Sequence, residues 1–472
     1  MNKTKIIATI GPATSSKEML KKIILAGANV CRINFSHGTH DDHLQVINSV
    51  RELNTDLGIH TAILADLQGP KLRVGIVAEG SKLVKGRKLV FTTKECEGSS
   101  ERVFMTYSAF PNDVAKGDKI LIDDGKLVLK ALSSNKKDEV VAEVLQGGPL
   151  SSNKGVNLPN TSISLPCLTK KDLVDLDFAL DHKIAWIGLS FVRSARDIIE
   201  IKEIIAGSGE RSLVVAKIEK PQAVADIDAI IQETDAIMVA RGDLGVEVPM
   251  HEVPLIQKRI VEKSRKSAKP VIIATQMMET MIDSLTPTRA EVNDVANAVM
   301  DGADAVMLSA ETSVGDNPIE VIDIMARIIN EVETNYSNLF NQEAAPTENH
   351  ARFITDSVCF NACRLAKRVQ AKAIITMTHS GYTAFKISSQ RPKSSIFVFS
   401  SNRNLLSCLS LVWGVKTFYY NKMVSTDNTI ADIKIFLREN GLVSKGDLII
   451  NTASMPIEEA GKTNMLKLSE ID

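Results

Sequence analysis

The sequence predicts an α/β protein: a (β/α)8 barrel with a β-rich domain inserted after its third strand and a second, open α/β domain at its C-terminal end. Three observations predict it. Eight short β-branched runs recur, with helix-period segments between most of them. A gap of more than a hundred residues separates the third run from the fourth, and much of it is alternating strand broken by Gly turns. A polar stretch then precedes a smaller series of strands and helices.

The eight runs are residues 5–10, 30–35, 61–65, 185–191, 213–218, 236–240, 270–274 and 305–308. Each is apolar on both faces, which is the pattern of a buried parallel strand. Helical periodicity marks 17–25, 43–53, 195–205, 222–231, 252–267 and 289–300. Eight nearly equal units suit a closed barrel; a doubly wound open sheet has no use for so many. In the gap, 170–180 reads as helix, and the rest, with stretches such as VAKGDKILIDDGKLVLKAL, reads as hairpins. An insertion at the C-terminal end of a barrel strand sits over the face where barrel chemistry occurs, so it is placed to act as a lid. A long helix, 318–336, leads into NQEAAPTENHA, which reads as a linker. Strands at 373–376, 396–399, 415–419 and 448–451 follow, again alternating with helices. The expected division is therefore 1–69 with 168–342 for the barrel, 70–167 for a β-barrel-like lid and 343–472 for the last domain.

A length of 472 residues fits about three domains, and 44% apolar residues give each a core and exclude disorder. Lys plus Arg (56) nearly cancels Asp plus Glu (57), so there is no basic excess for nucleic acid and no polybasic membrane anchor. No run of about 18 apolar residues occurs to span a membrane. The first residues read as a strand rather than a signal peptide, and a cytoplasmic location is expected. The six cysteines are scattered and make no disulfide framework. Cys359 and Cys363, four apart on an expected helix, leave a zinc half-site open beside their reading as buried apolar thiols.

The strand ends name the chemistry. They carry Thr9, Gly11 and Pro12; Arg32, Asn34, Ser36 and His37; Asp66, Gln68, Lys71 and Arg73; Lys217 and Glu219; Arg241, Gly242 and Asp243; Thr275 and Gln276; Ser309 and Glu311. Cations beside acids suit an anionic substrate clamped by side chains and a divalent metal together. Glu219 and Asp243, on adjacent strand ends, supply the one or two carboxylates that Mg²⁺ takes when substrate oxygens and water complete its octahedron. The alternative is that each is half of a salt bridge with Lys217 or Arg241. The segment MVARGDLGV, 238–246, flanks Asp243 with glycines that let a ligand approach the backbone.

Here the residues resemble a family. TKIIATIGPAT, VCRINFSHG, NKGVNLP, AKIEKPQ, IMVARGDLGVEV, ATQMMETM, PTRAEVNDVANAVMDGADAVMLSAET and THSGYT are similar to pyruvate kinases, and they run from the first strand into the last domain. The resemblance implies phosphoryl transfer from phosphoenolpyruvate to ADP, giving pyruvate and ATP in glycolysis, by a homotetramer using Mg²⁺ or Mn²⁺. It gives Arg32 the transferred phosphate, Lys217 the phosphoryl group in flight, and Glu219 and Asp243 the metal. It gives Gly242 the substrate carboxylate and Thr275 the reacting carbon. Asn34, Phe35, Ser36, His37, Arg73 and Lys154 match nucleotide positions; Asn34, Ser36, Asp66 and the Leu67 carbonyl match a monovalent-cation site. The loop 378–383, with Thr378, Ser380, Gly381 and Thr383, resembles a site for a phosphorylated effector.

The chain departs from the family pattern in three places. Ser309, Ala310 and Glu311 stand where Ser-Gly-Glu is usual, with Val314 for a later Lys. The segment ASMPIEEAGKTN, 453–464, lacks the Arg that accompanies activation by fructose bisphosphate. Asp66, Leu67, Gln68, Gly69, Pro70 and Lys71 replace Asp-Thr-Lys-Gly-Pro-Glu, so an acid has become a base. A Lys ammonium there stands in for potassium, and the enzyme is expected to work without that ion. Two other readings are weaker. A barrel lyase or aldolase needs no nucleotide lid, and a non-catalytic sugar-phosphate-binding subunit has no use for Arg32, Lys217, Glu219 and Asp243 together.

Overall fold

The computed structural model describes residues 2–159, 161, 163–336, 352–422, 425–455 and 462–472; the expected linker, 341–351, lies outside them. Eight strands form the barrel: β1 (Lys5–Ile10), β2 (Ala28–Asn34), β3 (Ala62–Asp66), β4 (Trp186–Leu189), β5 (Leu213–Ile218), β6 (Ala236–Ala240), β7 (Val271–Ala274) and β8 (Ala305–Leu308). Every neighbouring pair is parallel, and β1 pairs with both β2 and β8, which closes the sheet. Side-chain alternation explains the runs that are apolar on both faces. On β1, Ile7 points into the barrel with Val30, Leu64 and Trp186, while Ile6 and Ala8 face the surrounding helices.

Capping decides where those helices begin. Thr39, Thr169 and Thr288 each accept from the backbone N–H three residues on, and Asp42, Asp172 and Glu291 return the bond. One helical expectation changes. The run 222–231 is two helices, Pro221–Ala225 and Ile227–Glu233, broken at Asp226, whose carboxylate takes the Ala195 N–H instead. Met277, Met278 and Met281 are buried on a turn and a 3-10 helix, Glu279–Ile282.

The insertion contains a six-stranded, mostly antiparallel sheet in the order Val156–Asn157, Lys119–Ile122, Leu127–Ser134, Glu139–Gln146, Lys88–Thr92 and Arg102–Phe104. It is not all β, since Phe110–Asp113 is one helical turn. The sheet is not a closed barrel either. Its edges meet only through isolated bridges, Arg73 to Gly155 and Val74 to Met105. It has its own core around Leu89, Phe91, Phe110 and Leu129.

The last sheet runs Val415–Tyr419, Ser395–Ser400, Ala373–Met377, Leu448–Ala453 and Met465–Glu470. The sequence reading misses the fifth strand, an antiparallel edge that is half-exposed and therefore lacks an apolar run. Cys359 and Cys363 belong to this domain's core, where burial pushes the Cys359 thiol up to about 12. Both thiols are buried among apolar side chains of this core. This domain stoppers the N-terminal end of the barrel. Leu411 joins the barrel's inner core, and the Trp186 indole donates to the Cys408 carbonyl at 3.1 Å. The C-terminal end of the barrel is left for the inserted domain and the strand-end residues.

Candidate active site

A buried carboxylate organises the centre. Asp66 ends β3 and is 1% exposed. Arg32, on neighbouring β2, donates to its Oδ2 from Nε (2.7 Å) and Nη2 (2.6 Å), and from Nη1 to Thr9 Oγ1 (2.9 Å). Across the barrel mouth, Lys217 of β5 lies 3.1 Å from Asp66 Oδ1. The same ammonium donates to Ser190 Oγ at 2.7 Å, and that hydroxyl donates to the Leu67 carbonyl at 2.7 Å. Two cations are thus fixed side by side on one acid. Burial pushes the Asp66 carboxyl up, but Lys217 and Arg32 pull it further down, so it stays ionised.

Lys217 also lies 3.0 Å from Glu219 Oε1. Burial pulls its ammonium down, while Asp66 and then Glu219 more than reverse this, so it remains charged. Glu219 answers in the opposite sense. Burial raises its carboxyl, and Asp243 raises it further, against Lys217 and a 2.7 Å bond from the Phe191 N–H. A buried carboxylate whose charge is disfavoured by burial and by a neighbouring acid is relieved by a divalent cation, so the residues fit the metal the sequence called for. The salt-bridge alternative holds for Glu219 with Lys217 alone. Arg241 pairs with Asp294 (2.6 Å), and Asp243 has no ion pair among the described residues.

Thr275 follows β7 with φ +68°, and Gln276 has φ +54°. A β-branched residue in the left-handed region is strained and needs outside support. Arg241 holds its carbonyl at 2.7 Å, and its hydroxyl donates to the Ala274 carbonyl at 2.6 Å. That hydroxyl also accepts the Gly242 N–H at 2.7 Å, so the amide expected for the substrate carboxylate is already engaged. A Cβ on Gly242 would sit 3.3 Å from Thr275 Oγ1, so glycine is what lets the two segments approach.

The expected nucleotide residues divide. Asn34 and Ser36 are partly exposed, with the Ser36 N–H bonded to Asn34 Oδ1 at 3.1 Å, and His37 is exposed. Phe35 does not face the cleft: its ring is 2% exposed and packs on His43 and Phe178. Arg73 donates to the Asn153 carbonyl (2.8 Å), and Lys154 pairs with Asp123 (2.9 Å), both on the lid. Lys71 is exposed and makes no hydrogen bond to Asn34, Ser36 or Asp66; it lines a cleft with Gly155, Asn157, Arg193, Lys220 and Asp243. The expected ammonium contacts are absent because Asp66 is taken by Arg32 and Lys217.

Some rim residues turn inward. Glu311 accepts the Ser309 N–H at 2.6 Å and is buried, so it caps its own turn. Ala310 does not have a positive φ, which is why its methyl is tolerated. In the last domain Thr378 caps the Gly381 N–H (3.0 Å) and Thr383 meets Thr463 (2.7 Å), leaving Ser380 exposed. Residues 456–461 of the second effector segment lie outside the described residues. Sequence reasoning missed Ser190, just after β4, and Glu247, at the end of the helix Arg241–Glu247; both are buried, and only the fold brings them to Lys217 and Lys220.

The comparisons with known proteins agree in one direction. The family described as pyruvate kinase, barrel domain, matches residues 1–322, and pyruvate kinase, alpha/beta domain, matches 356–469. Pyruvate kinase of Mycobacterium intracellulare is 43% identical over 99% of this chain and 98% of its own. Pyruvate kinase of Geobacillus stearothermophilus is 41% identical over 99% of this chain and 80% of its own. The crystal structure of a pyruvate kinase from Cryptosporidium parvum superposes with a TM-score of 0.93 at 34% identity, covering 100% of this chain and 96% of that one.

Proposed function

This chain belongs to the pyruvate kinase family and transfers the phosphoryl group of phosphoenolpyruvate to ADP, giving pyruvate and ATP, and on that premise we propose how its residues divide the reaction. The transferring group carries charge on three equatorial oxygens while a terminal ADP oxygen attacks in line. Arg32 binds that phosphate, held in aim by Asp66 and Thr9. Lys217 balances the charge that develops in flight, in a site where preorganised cations act more strongly than in water. Glu219 and Asp243 would hold Mg²⁺ or Mn²⁺, which supplies a Lewis acid for the enolate oxygen and the phosphate.

Gly242 leaves room for the substrate carboxylate at the start of the helix Arg241–Glu247. Thr275 is too weak an acid to be the source of the proton, so its hydroxyl orients a water relay that carries a solvent proton to the carbon. Asn34, Ser36, His37, Arg73 and Lys154 receive the nucleotide, with Phe35 contributing backbone alone. The observation that carries this reading is the joining of Arg32 and Lys217 through buried Asp66, beside the Glu219 and Asp243 carboxylates. The test is pyruvate release from phosphoenolpyruvate. It should require both ADP and a divalent metal, and release without ADP refutes the reading.

The same reading makes the enzyme potassium-independent. Protein donors already engage the Asp66 carboxylate, the Leu67 carbonyl and Asn34 Oδ1, and Lys71 adds an ammonium to the cleft. Full turnover is expected in sodium- and potassium-free buffer, and a potassium requirement should appear in Lys71→Glu. A parent enzyme that needs potassium overturns this part. A homotetramer and a phosphorylated effector at 378–383 complete the proposal, tested by sedimentation and by an effector screen.

A further inference from the structure

The lid touches the barrel through a buried polar contact that the reaction above does not use. Glu247 ends the helix Arg241–Glu247 and is 4% exposed. Its Oε1 accepts from two sides: Lys220 Nζ at 2.6 Å and Asn157 Nδ2 at 2.8 Å. Lys220 directly follows Glu219 and is itself buried. Asn157 comes from the lid, on the edge strand Val156–Asn157 that pairs with Lys119–Ile122. One carboxylate therefore joins the backbone next to Glu219, the helix carrying Gly242 and Asp243, and the lid.

The two halves differ in what they cost to break. Removing Lys220 leaves a buried carboxylate without its counter-charge, which is severe. Removing Asn157 leaves the ion pair intact and loses one charge-assisted bond. Asn157 is the one member of the trio that belongs to the inserted domain.

We propose that Asn157, Lys220 and Glu247 form a lid latch, in which Lys220–Glu247 is the fixed catch and Asn157 the part that releases. They are positioning residues: the latch sets how readily the cleft closes over nucleotide while tying closure to the acidic pair. This rests on the phosphotransfer reading above.

The test compares the full-length enzyme with Asn157→Ala, and with Lys220→Met/Glu247→Met, which replaces the buried pair by apolar groups of similar length. Both should raise the ADP KM about tenfold, the scale of one charge-assisted bond, with the phosphoenolpyruvate KM within about twofold. In the substrate-free enzyme, amide exchange at residues 119–122 and 156–157 should accelerate in both variants. Unchanged exchange with an unchanged ADP KM overturns the latch. So does a lower Tm with both KM values moved equally, which would mark a structural role. Should the parent show no ADP-dependent pyruvate release, the premise fails separately, and the exchange rates still decide the latch.

Discussion

The chemistry turns on single charges held where water cannot screen them. Lys217 is buried and stays protonated because Asp66 and Glu219 face it. A charge fixed before the reaction needs no reorganisation when the phosphoryl group loosens. Lys217→Met should therefore lower kcat by roughly 10² or more, with a smaller effect on phosphoenolpyruvate KM. Steady-state kinetics check this, and near-normal turnover removes Lys217 from the transition state. The Lys, the two acids and Arg32 were legible because they stand at the C-terminal ends of the second, fifth and sixth barrel strands. Ser190 was not: a serine after an apolar run gives no signal until the fold sets it between Lys217 and the Leu67 carbonyl.

Elements matter through the places where they must touch. After β1, a Cβ on Gly11 would lie 2.6 Å from the Ser313 carbonyl oxygen. The loop is pinned there by the Ala13 N–H to the same carbonyl (3.0 Å) and by Thr14 Oγ1 to the Thr312 carbonyl (2.9 Å). Gly11→Ala should cost about 1–3 kcal/mol, read as a shift in denaturant midpoint, because the obstacle is backbone and cannot rotate away. On the lid, Lys154 projects from the segment after Asn153 and is held by Asp123. Lys154→Ala should raise the ADP KM more than the phosphoenolpyruvate KM; equal rises would mean that it serves closure in general.

At the scale of the whole molecule, the last domain's hold on the barrel is paid for in buried charge. Lys5 is 2% exposed and donates to the Val415 carbonyl at 2.7 Å. Burial lowers its ammonium from 10.5 to about 8, against Glu333 and Asp304, with Lys416 adding to the fall. Between those two values the unfolded chain binds the proton that the folded one does not, so Lys5's contribution to stability rises with pH. Below pH 8 its charge costs about 3 kcal/mol. Lys5→Met should be stabilised relative to its parent near pH 7, and that advantage should shrink steadily up to pH 10.5. Denaturant unfolding of both proteins across this range checks the sign, and a difference independent of pH refutes it.

Periodicity determined the barrel by itself, because a strand buried on both faces must be apolar at every position, and eight such strands leave eight such runs. It determined the strand-end chemistry for the same reason: a polar residue that breaks an apolar run marks where the strand meets solvent. It did not determine which cation meets which acid. Lys71 is one residue beyond Pro70 in sequence yet exposed on the cleft wall, while Lys217, some 150 residues from Asp66, closes on it at 3.1 Å. Nor did it show the half-exposed edge strand Met465–Glu470, or Asn157 meeting Glu247. Those depend on where the closed sheet and the docked lid bring distant segments together. A pairing between groups far apart in sequence leaves no period to read.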